Sequence, residues 1–550
     1  MCQHCAMTSF DRAASLDALQ RITFDVIVIG AGMTGAGVAL DAGSRGLRVA
    51  LIDSGDLASG TSSKSSKMVH GGLRYLQQKE FRLVYENLRE RQRLLENAPF
   101  LVRPLPFLIP LFGTNGVASR TIVKGYATAL WLYDLTGGWR IGHRHRKISR
   151  AEAASLLPTL RTDRLVAGFL YYDARGDDAR VALLAARTAA LDFGATVANY
   201  VSATGVDHGP DGRVRAVRAR DQKTGQAFTI ATHSVVNATG VWADEIIAMS
   251  DPRGSSTITP AKGVHVAVAR DRLPASVAAV LAVPNDRRSI FVVPFEDAPY
   301  TFIGTTDTAY DGDLDNPTCT SADVLYLLNA VNASTDSHLT TDDVTGVWAG
   351  LRPLLAAPPG KSLSTRTSDL SRRHRVTDSG DGVIHVTGGK WTTYRQMAED
   401  AVNALGRYVG RTPVRTRALR FHGTGTWRPT TGLETHLYRR YGDDANVILT
   451  MIHNEPSLGD QPIRAQSYLL AEFIYAVRYE MATSLIDLLS RRTRAHLHDA
   501  RATLDAAPRI ARAVGIEFGW DADQIEAEVA EYRDLVHREF RAAGLTLDAT

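Results

Sequence analysis

A chain of 550 residues exceeds one ordinary domain, and 44% hydrophobic with 22% charged residues is the balance of a folded globular protein, so two or three domains are expected. A formal charge of +4 over that length excludes a bulk nucleic-acid partner, although a locally basic face can still meet anionic lipid or an anionic substrate. Cys2, Cys5 and Cys319 are the only cysteines, which excludes a disulfide framework and suits a reducing, cytoplasmic compartment; no apolar run approaches the length of a spanning helix, and no signal-peptide pattern is present.

Residues 1–23 are short and polar and are expected to form a disordered tail, with the fold starting at Phe24. Cys2, His4 and Cys5 lack the second pair of ligands that a metal knuckle needs, so no metal site is expected. From 24 to 53, FDVIVIGAGMTGAGVALDAGSRGLRVALID reads as strand, glycine turn, helix and second strand. Val26 to Ile29 is a buried parallel strand, and Gly30, Gly32 and Gly35 give the G-x-G-x-x-G spacing directly after it. Gly30 permits the tight turn, Gly32 lets backbone approach a pyrophosphate, and Gly35 lets the helix pack on the sheet. The helix opens at Met33 and Thr34, with its N-terminal N–H groups facing the anion. Asp53 closes the second strand, where a carboxylate can accept hydrogen bonds from an adenosine ribose.

A long Ser-rich connection follows, SGDLASGTSSKSSKMVHGGLRYL, of a length more often functional than not. The segment 81–99 repeats apolar side chains at Phe81, Val84, Leu88 and Leu95 before Pro99, the pattern of an amphipathic helix whose arginines are expected to form a solvated face. The stretch 117–147 mixes Trp131, Trp139 and aliphatic residues with Arg120, Lys124, Arg140, Arg144 and Arg146, the mixture of an interfacial segment, although a core helix followed by a solvated loop also explains it. THSVVNATGVWADEI is a second strand-to-turn unit, with Ala238 and Gly240 in the turn. Short β-rich runs begin near 258 and suggest an antiparallel sheet inserted at about 258–345 as a substrate wall. VIHVTGGKWTTYRQMAED is a third unit, with Gly388 and Gly389 at the helix entry, and beyond 411 the text is helical. The fold class is therefore α/β: a Rossmann-type domain over 24–410 with an inserted antiparallel sheet, followed by a separate α-helical domain over 411–550.

The fingerprint alone admits NAD or FAD. An isoalloxazine gains electron density at one edge on reduction, and a helix N-terminus there stabilises it by about 0.3 to 2 kcal/mol. The turn Gly388, Gly389, Lys390 offers such a terminus. Thr61, Ser62, Ser63, Ser65 and Ser66 place hydroxyls for a pyrophosphate and a flavin edge, so FAD is the expected cofactor.

Together TSSKSSKMVHGGLRYL, VNATGVWAD, IGTTD, GLRPL and GGKWTTYRQMAE resemble the FAD-dependent glycerol-3-phosphate dehydrogenase family, strongly over about 24–400 and loosely over 410–550. The resemblance implies oxidation of sn-glycerol 3-phosphate to dihydroxyacetone phosphate on FAD, with electrons passed to membrane quinone. It implies an enzyme held peripherally at the inner face of the cell membrane, with 117–147 as the contact. Tyrosine-rich helical surfaces in the C-terminal domain suit a homodimer or docking.

A substrate phosphate of nearly two negative charges needs fixed cations, preferably arginine forks. Arg74, next to Tyr75 in the HGGLRYL motif, and Arg352 in GLRPL answer that need, and Arg366 matches the position of another substrate-side arginine of the family. The substrate hydroxyl must lose a proton as hydride leaves C2, and His70 is the first choice of base. It sits in VHGG, where Gly71 and Gly72 permit close approach to the flavin, and a neutral imidazole titrates near neutrality. Lys390 can bind substrate oxygen or act as base, and His265 is a third polar candidate on the β-rich wall. The nearest rival is a glycerol-3-phosphate oxidase that uses dioxygen and releases peroxide. An amine or another hydroxy acid as substrate is disfavoured by the arginines, and an RNA-modifying flavoprotein by the lack of a basic stripe.

Overall fold

The computed structural model describes residues 10–73, 75, 80–112, 120–250, 257–284, 286, 288–356 and 373–547. A six-stranded sheet runs in the order His374–Asp378, Val383–Gly388, Val235–Asn237, Val26–Ile29, Val49–Ile52, Thr196–Ala198, parallel except at its first pair. The two-residue period of a strand decides what each face meets. Val26, Val28, Val49 and Leu51 face the helices Met33–Ser44, Asp178–Phe193 and Tyr394–Val409. Ile27, Ile29, Ala50 and Ile52 face a small antiparallel sheet of Val201–His208, Val214–Asp221 and Ala227–Ala231. Both faces being covered explains why these strands read as unbroken apolar runs. A Cβ at Gly35 would lie 1.7 Å from the Gly30 carbonyl oxygen, so the first helix can sit this close to the strand only with glycine there.

The tail expected over 1–23 is ordered where it is described. Arg12–Arg21 is a helix capped by Asp11, whose side chain accepts the Ala14 N–H, and Leu19 is fully buried. Arg12 holds it in place through hydrogen bonds to the Asn199 carbonyl and to Asp221. The fold therefore begins before Phe24, because two apolar side chains, Phe10 and Leu19, find cover among distant strands. Cys2, His4 and Cys5 lie outside the described residues.

The second sheet has ten strands and is wider than the segment 258–345. Val344–Leu355 pairs along Ile258–Ala269, and Met68–Val69, Val102–Phe112 and Leu165–Gly176 form its far side. Pro104, Pro106 and Pro110 stand within the strand Val102–Phe112. The strand tolerates them because its second neighbour pairs only at Phe107 and Leu108, leaving those prolines no second partner to serve. One face of this sheet, with Phe107, Ile109, Phe302 and Trp348, packs on the helices Phe81–Asn97 and Arg120–Leu135.

The other face carries the C-terminal helices. Leu437, Ile448, Phe473, Ile510, Val514 and Val536 share one continuous hydrophobic core with Val264, Val266, Val268 and Val347. The region is helical as expected, but it is a layer on the sheet and not a separately cored unit.

Candidate active site

A cavity of about 1050 Å³ opens between the two sheets and draws its lining from both. Gly30, Gly32, Met33 and Thr34 line one end, where the first strand hands over to its helix. Asp53 closes the second strand beside them. It accepts the N–H groups of Ala31 at 2.6 Å and Gly55 at 2.9 Å, and burial lifts its carboxyl to about 6. Thr61, Ser62 and Ser66 form the adjoining wall, and Ser62 Oγ accepts the Met33 N–H at 2.8 Å. Ala238 and Gly240 line the cavity from the second turn; a Cβ built on Gly240 meets nothing within 4 Å, so the backbone there faces open space. Three βα turns thus present backbone to one elongated cleft, which is what a dinucleotide with two phosphates and two flat rings requires.

The far end is cationic and polar. Lys390 precedes the turn Trp391–Thr393 and places Nζ 3.9 Å from the centroid of the Tyr75 ring; Gly388 and Gly389 line the wall beside it. Arg352 lines the same chamber from the strand Val344–Leu355. Its guanidinium donates to the Lys262 and Thr306 carbonyls, Thr305 Oγ1 and Asp307 Oδ1 at 3.2 to 3.3 Å. His70 follows the strand Met68–Val69, is half-buried and lines the chamber with Gly72. His265 stacks on Trp348 at 4.9 Å between centroids, and its Nε2 lies 2.7 Å from Ser66 Oγ. Burial, with Lys67 and Arg352 nearby, holds the His265 imidazole well below its usual range, so this ring is neutral.

Three expected site residues stand behind the wall. Gly35 is a packing position, and Ser63 is buried with Oγ on the Gly60 carbonyl. Gly71 is spent on structure, its N–H donating to Tyr133 Oη at 2.9 Å and Asp173 Oδ1 at 3.2 Å. Arg74 and Arg366 lie outside the described residues.

Sequence reasoning missed the support of the HGG turn. Asp173 is buried and accepts from Arg91 at 2.5 Å and from Tyr133 Oη at 2.7 Å, while Asn87 Nδ2 donates to the Gly71 carbonyl at 3.0 Å. Arg91 belongs to the helix whose arginines were expected in solvent, and it is fully buried. Its partner lies 82 positions away, so no local pattern announces it. Nor does the sequence around Lys67 signal its role. It is buried against Asp178 Oδ1 and the Ser63 carbonyl at 3.1 and 3.2 Å, and burial lowers its ammonium to about 8. Arg288 and Asp307 also line the chamber.

The family described as FAD dependent oxidoreductase matches residues 25–395, and the C-terminal domain of alpha-glycerophosphate oxidase matches 384–525. Glycerol-3-phosphate dehydrogenase 2 of Mycobacterium tuberculosis is 41% identical over 97% of this chain and 92% of that protein. The mitochondrial glycerol-3-phosphate dehydrogenase of Homo sapiens is 36% identical over 96% of this chain and 75% of that protein. The glycerol-3-phosphate dehydrogenase of Bacillus halodurans, solved with FAD, superposes with a TM-score of 0.76 at 29% identity, covering 98% of this chain and 99% of that one. A glycine-turned cleft that fits a dinucleotide, a cationic chamber at its end and relatives of nearly full length agree: this chain is an FAD-dependent oxidoreductase of the glycerol-3-phosphate dehydrogenase family.

Proposed function

We propose that this enzyme oxidises sn-glycerol 3-phosphate to dihydroxyacetone phosphate and delivers the electrons to a quinone in an adjoining bilayer. The observation that carries the proposal is the meeting, in one cavity, of the dinucleotide cleft with Arg352, Lys390, Tyr75 and His70. Gly30, Gly32, Ser62 and the N-terminus of the helix Met33–Ser44 hold the FAD pyrophosphate, Asp53 the ribose, and the Gly388, Gly389, Lys390 turn the flavin edge. FAD bound there supplies the two-electron acceptor for the hydride of substrate C2.

Arg352 and Lys390 bind the substrate's anionic oxygens, and the bonds that fix Arg352 from behind keep its charge in place before substrate arrives. The ring of Tyr75 confines the Lys390 ammonium by a cation–π contact. His70 takes the proton from the C2 hydroxyl as the hydride leaves. His265, held neutral, offers a hydrogen-bonding edge without adding charge. Arg74 and Arg366 are proposed as further phosphate ligands from the family resemblance.

The bilayer contact is proposed on the helix Arg120–Leu135 and the turn after it. Trp131, Leu132, Leu135 and Trp139 are 52%, 42%, 71% and 57% exposed, and Lys124 on the same helix with Arg144, Arg146 and Lys147 in the segment after it are exposed as well. That pairs apolar anchors with cations for an anionic headgroup layer. No helix among the described residues is long and apolar enough to cross a membrane. Turnover with glycerol 3-phosphate in the presence of quinone-containing vesicles tests the proposal. Dihydroxyacetone phosphate should form with quinone reduction; stoichiometric peroxide and no quinol would assign the enzyme as an oxidase instead.

A further inference from the structure

The wall of the cleft from Ser54 to Lys67 is held from two sides by a distant part of the chain. At one end Asp56, 1% exposed, takes a two-pronged bond from Arg492, whose Nη1 and Nη2 donate at 2.7 and 2.8 Å, and a third bond from Arg491 Nε at 2.5 Å. At the other end Arg494 Nη1 donates to the Ser63 carbonyl at 3.3 Å. The same guanidinium reaches Asp177 at 2.5 Å and Asp178, and Asp178 Oδ2 accepts the Ser65 N–H at 2.9 Å. Between these two fastenings lie Ser59, Gly60, Thr61 and Ser62, which line the cavity, and Ser62 reaches the Met33 amide.

The arginines come from the C-terminal helical layer, and their order there is unusual. Leu488–Arg492 is a single π-helical turn, a local widening that sends the consecutive Arg491 and Arg492 to one carboxylate. Stability is a weak reason for so many buried charges, since desolvating them costs about what their attraction returns. Fixing a loop in one shape is a better one. We infer that Arg492 and Arg494 are positioning residues for the cofactor: the C-terminal layer latches the loop 54–67 into the form that grips the FAD pyrophosphate. The cofactor thereby depends on a region that lines none of its cleft.

The inference rests on the proposed contact of this loop with FAD, and the experiment separates the two. The double variant Asp56→Asn with Arg492→Met removes both charges together and so avoids an unpaired buried ion. FAD affinity is measured by flavin fluorescence quenching on the stripped protein, beside visible circular dichroism of the bound flavin and the melting temperature of the apoprotein. The expected result is a folded apoprotein whose Kd for FAD has risen at least tenfold and whose flavin dichroism is weakened, with Arg492→Lys in between. A role in stability alone would move the melting temperature and leave Kd and dichroism unchanged, and that result overturns the latch. Where the double variant does not fold, Arg492→Lys decides, because it keeps the charge and loses the fork; an unchanged Kd there overturns the latch equally. Gly32→Val serves as the control for the cleft. If only Gly32→Val loses FAD, the latch is wrong; if none of the variants loses it, the assignment of the cleft is wrong.

Discussion

Lys390 Nζ stands over the ring of Tyr75, 3.9 Å from its centroid, so the GGK turn and the HGGLRY turn meet across the chamber. The contact holds an ammonium where a phosphorylated substrate needs one. Replacing Lys390 by Met removes a charge-assisted bond worth about 1.5 to 3 kcal/mol, a loss of roughly 10- to 150-fold in kcat/KM for glycerol 3-phosphate. Steady-state kinetics check this. The loss should be far smaller for glycerol, which has no phosphate to bind.

His70→Gln is expected to keep its FAD and to lower kcat by about 10² to 10⁴, the usual span for a missing general base. The pH profile supplies the sharper reading. His265 is held well below its ordinary range, so an acid limb near neutrality in the profile is not its own. That limb should vanish in His70→Gln and survive in His265→Asn; the reverse pattern would transfer the base to His265.

Asp53 titrates at about 6 because it is buried, against about 3.9 in an unfolded chain. Between those values the unfolded chain has lost a proton that the folded one still holds. Rising pH therefore takes stability from the apoprotein across this window, on the order of 3 kcal/mol from this group, with nothing further lost above it. Ribose hydroxyls donating to the carboxylate favour its ionised form, so FAD binding near pH 6 should release a fraction of a proton and at pH 8 none. Calorimetry in two buffers of different ionisation enthalpy measures that release, and equal proton counts at both pH values would remove Asp53 from the ribose site.

Trp131→Ser with Leu135→Ser strips two exposed apolar anchors and leaves the buried Leu130 and Tyr133 of the same helix in place. Binding to anionic vesicles should weaken at least tenfold, while turnover with a water-soluble dye stays as it was. Unchanged co-sedimentation would move the bilayer contact elsewhere.

The sequence was most informative where structure is local. Three strand-turn-helix units could be read from glycine spacing and apolar runs, and Gly30, Met33, Asp53, Ala238 and Lys390 all reach the same cavity. It was least informative where partners lie far apart in the chain. Nothing around Arg91 announces Asp173, nothing around Arg492 announces Asp56, and an arginine on a helix reads as solvated until the acid that buries it is known. The prolines of the strand Val102–Phe112 argue locally against a conformation that only its neighbours permit. The helix Arg12–Arg21 escaped for a related reason: a short polar segment is ordered by the buried cover that Phe10 and Leu19 find elsewhere.

A flavin in this cleft is proposed to face a chamber built for a phosphorylated three-carbon alcohol. Anaerobic titration of the purified yellow protein with glycerol 3-phosphate, followed by absorbance near the flavin maximum, tests it most directly. One equivalent should bleach the band with formation of dihydroxyacetone phosphate, and glycerol at the same concentration should leave it intact. A band that persists with glycerol 3-phosphate, or that bleaches equally with glycerol, would contradict it.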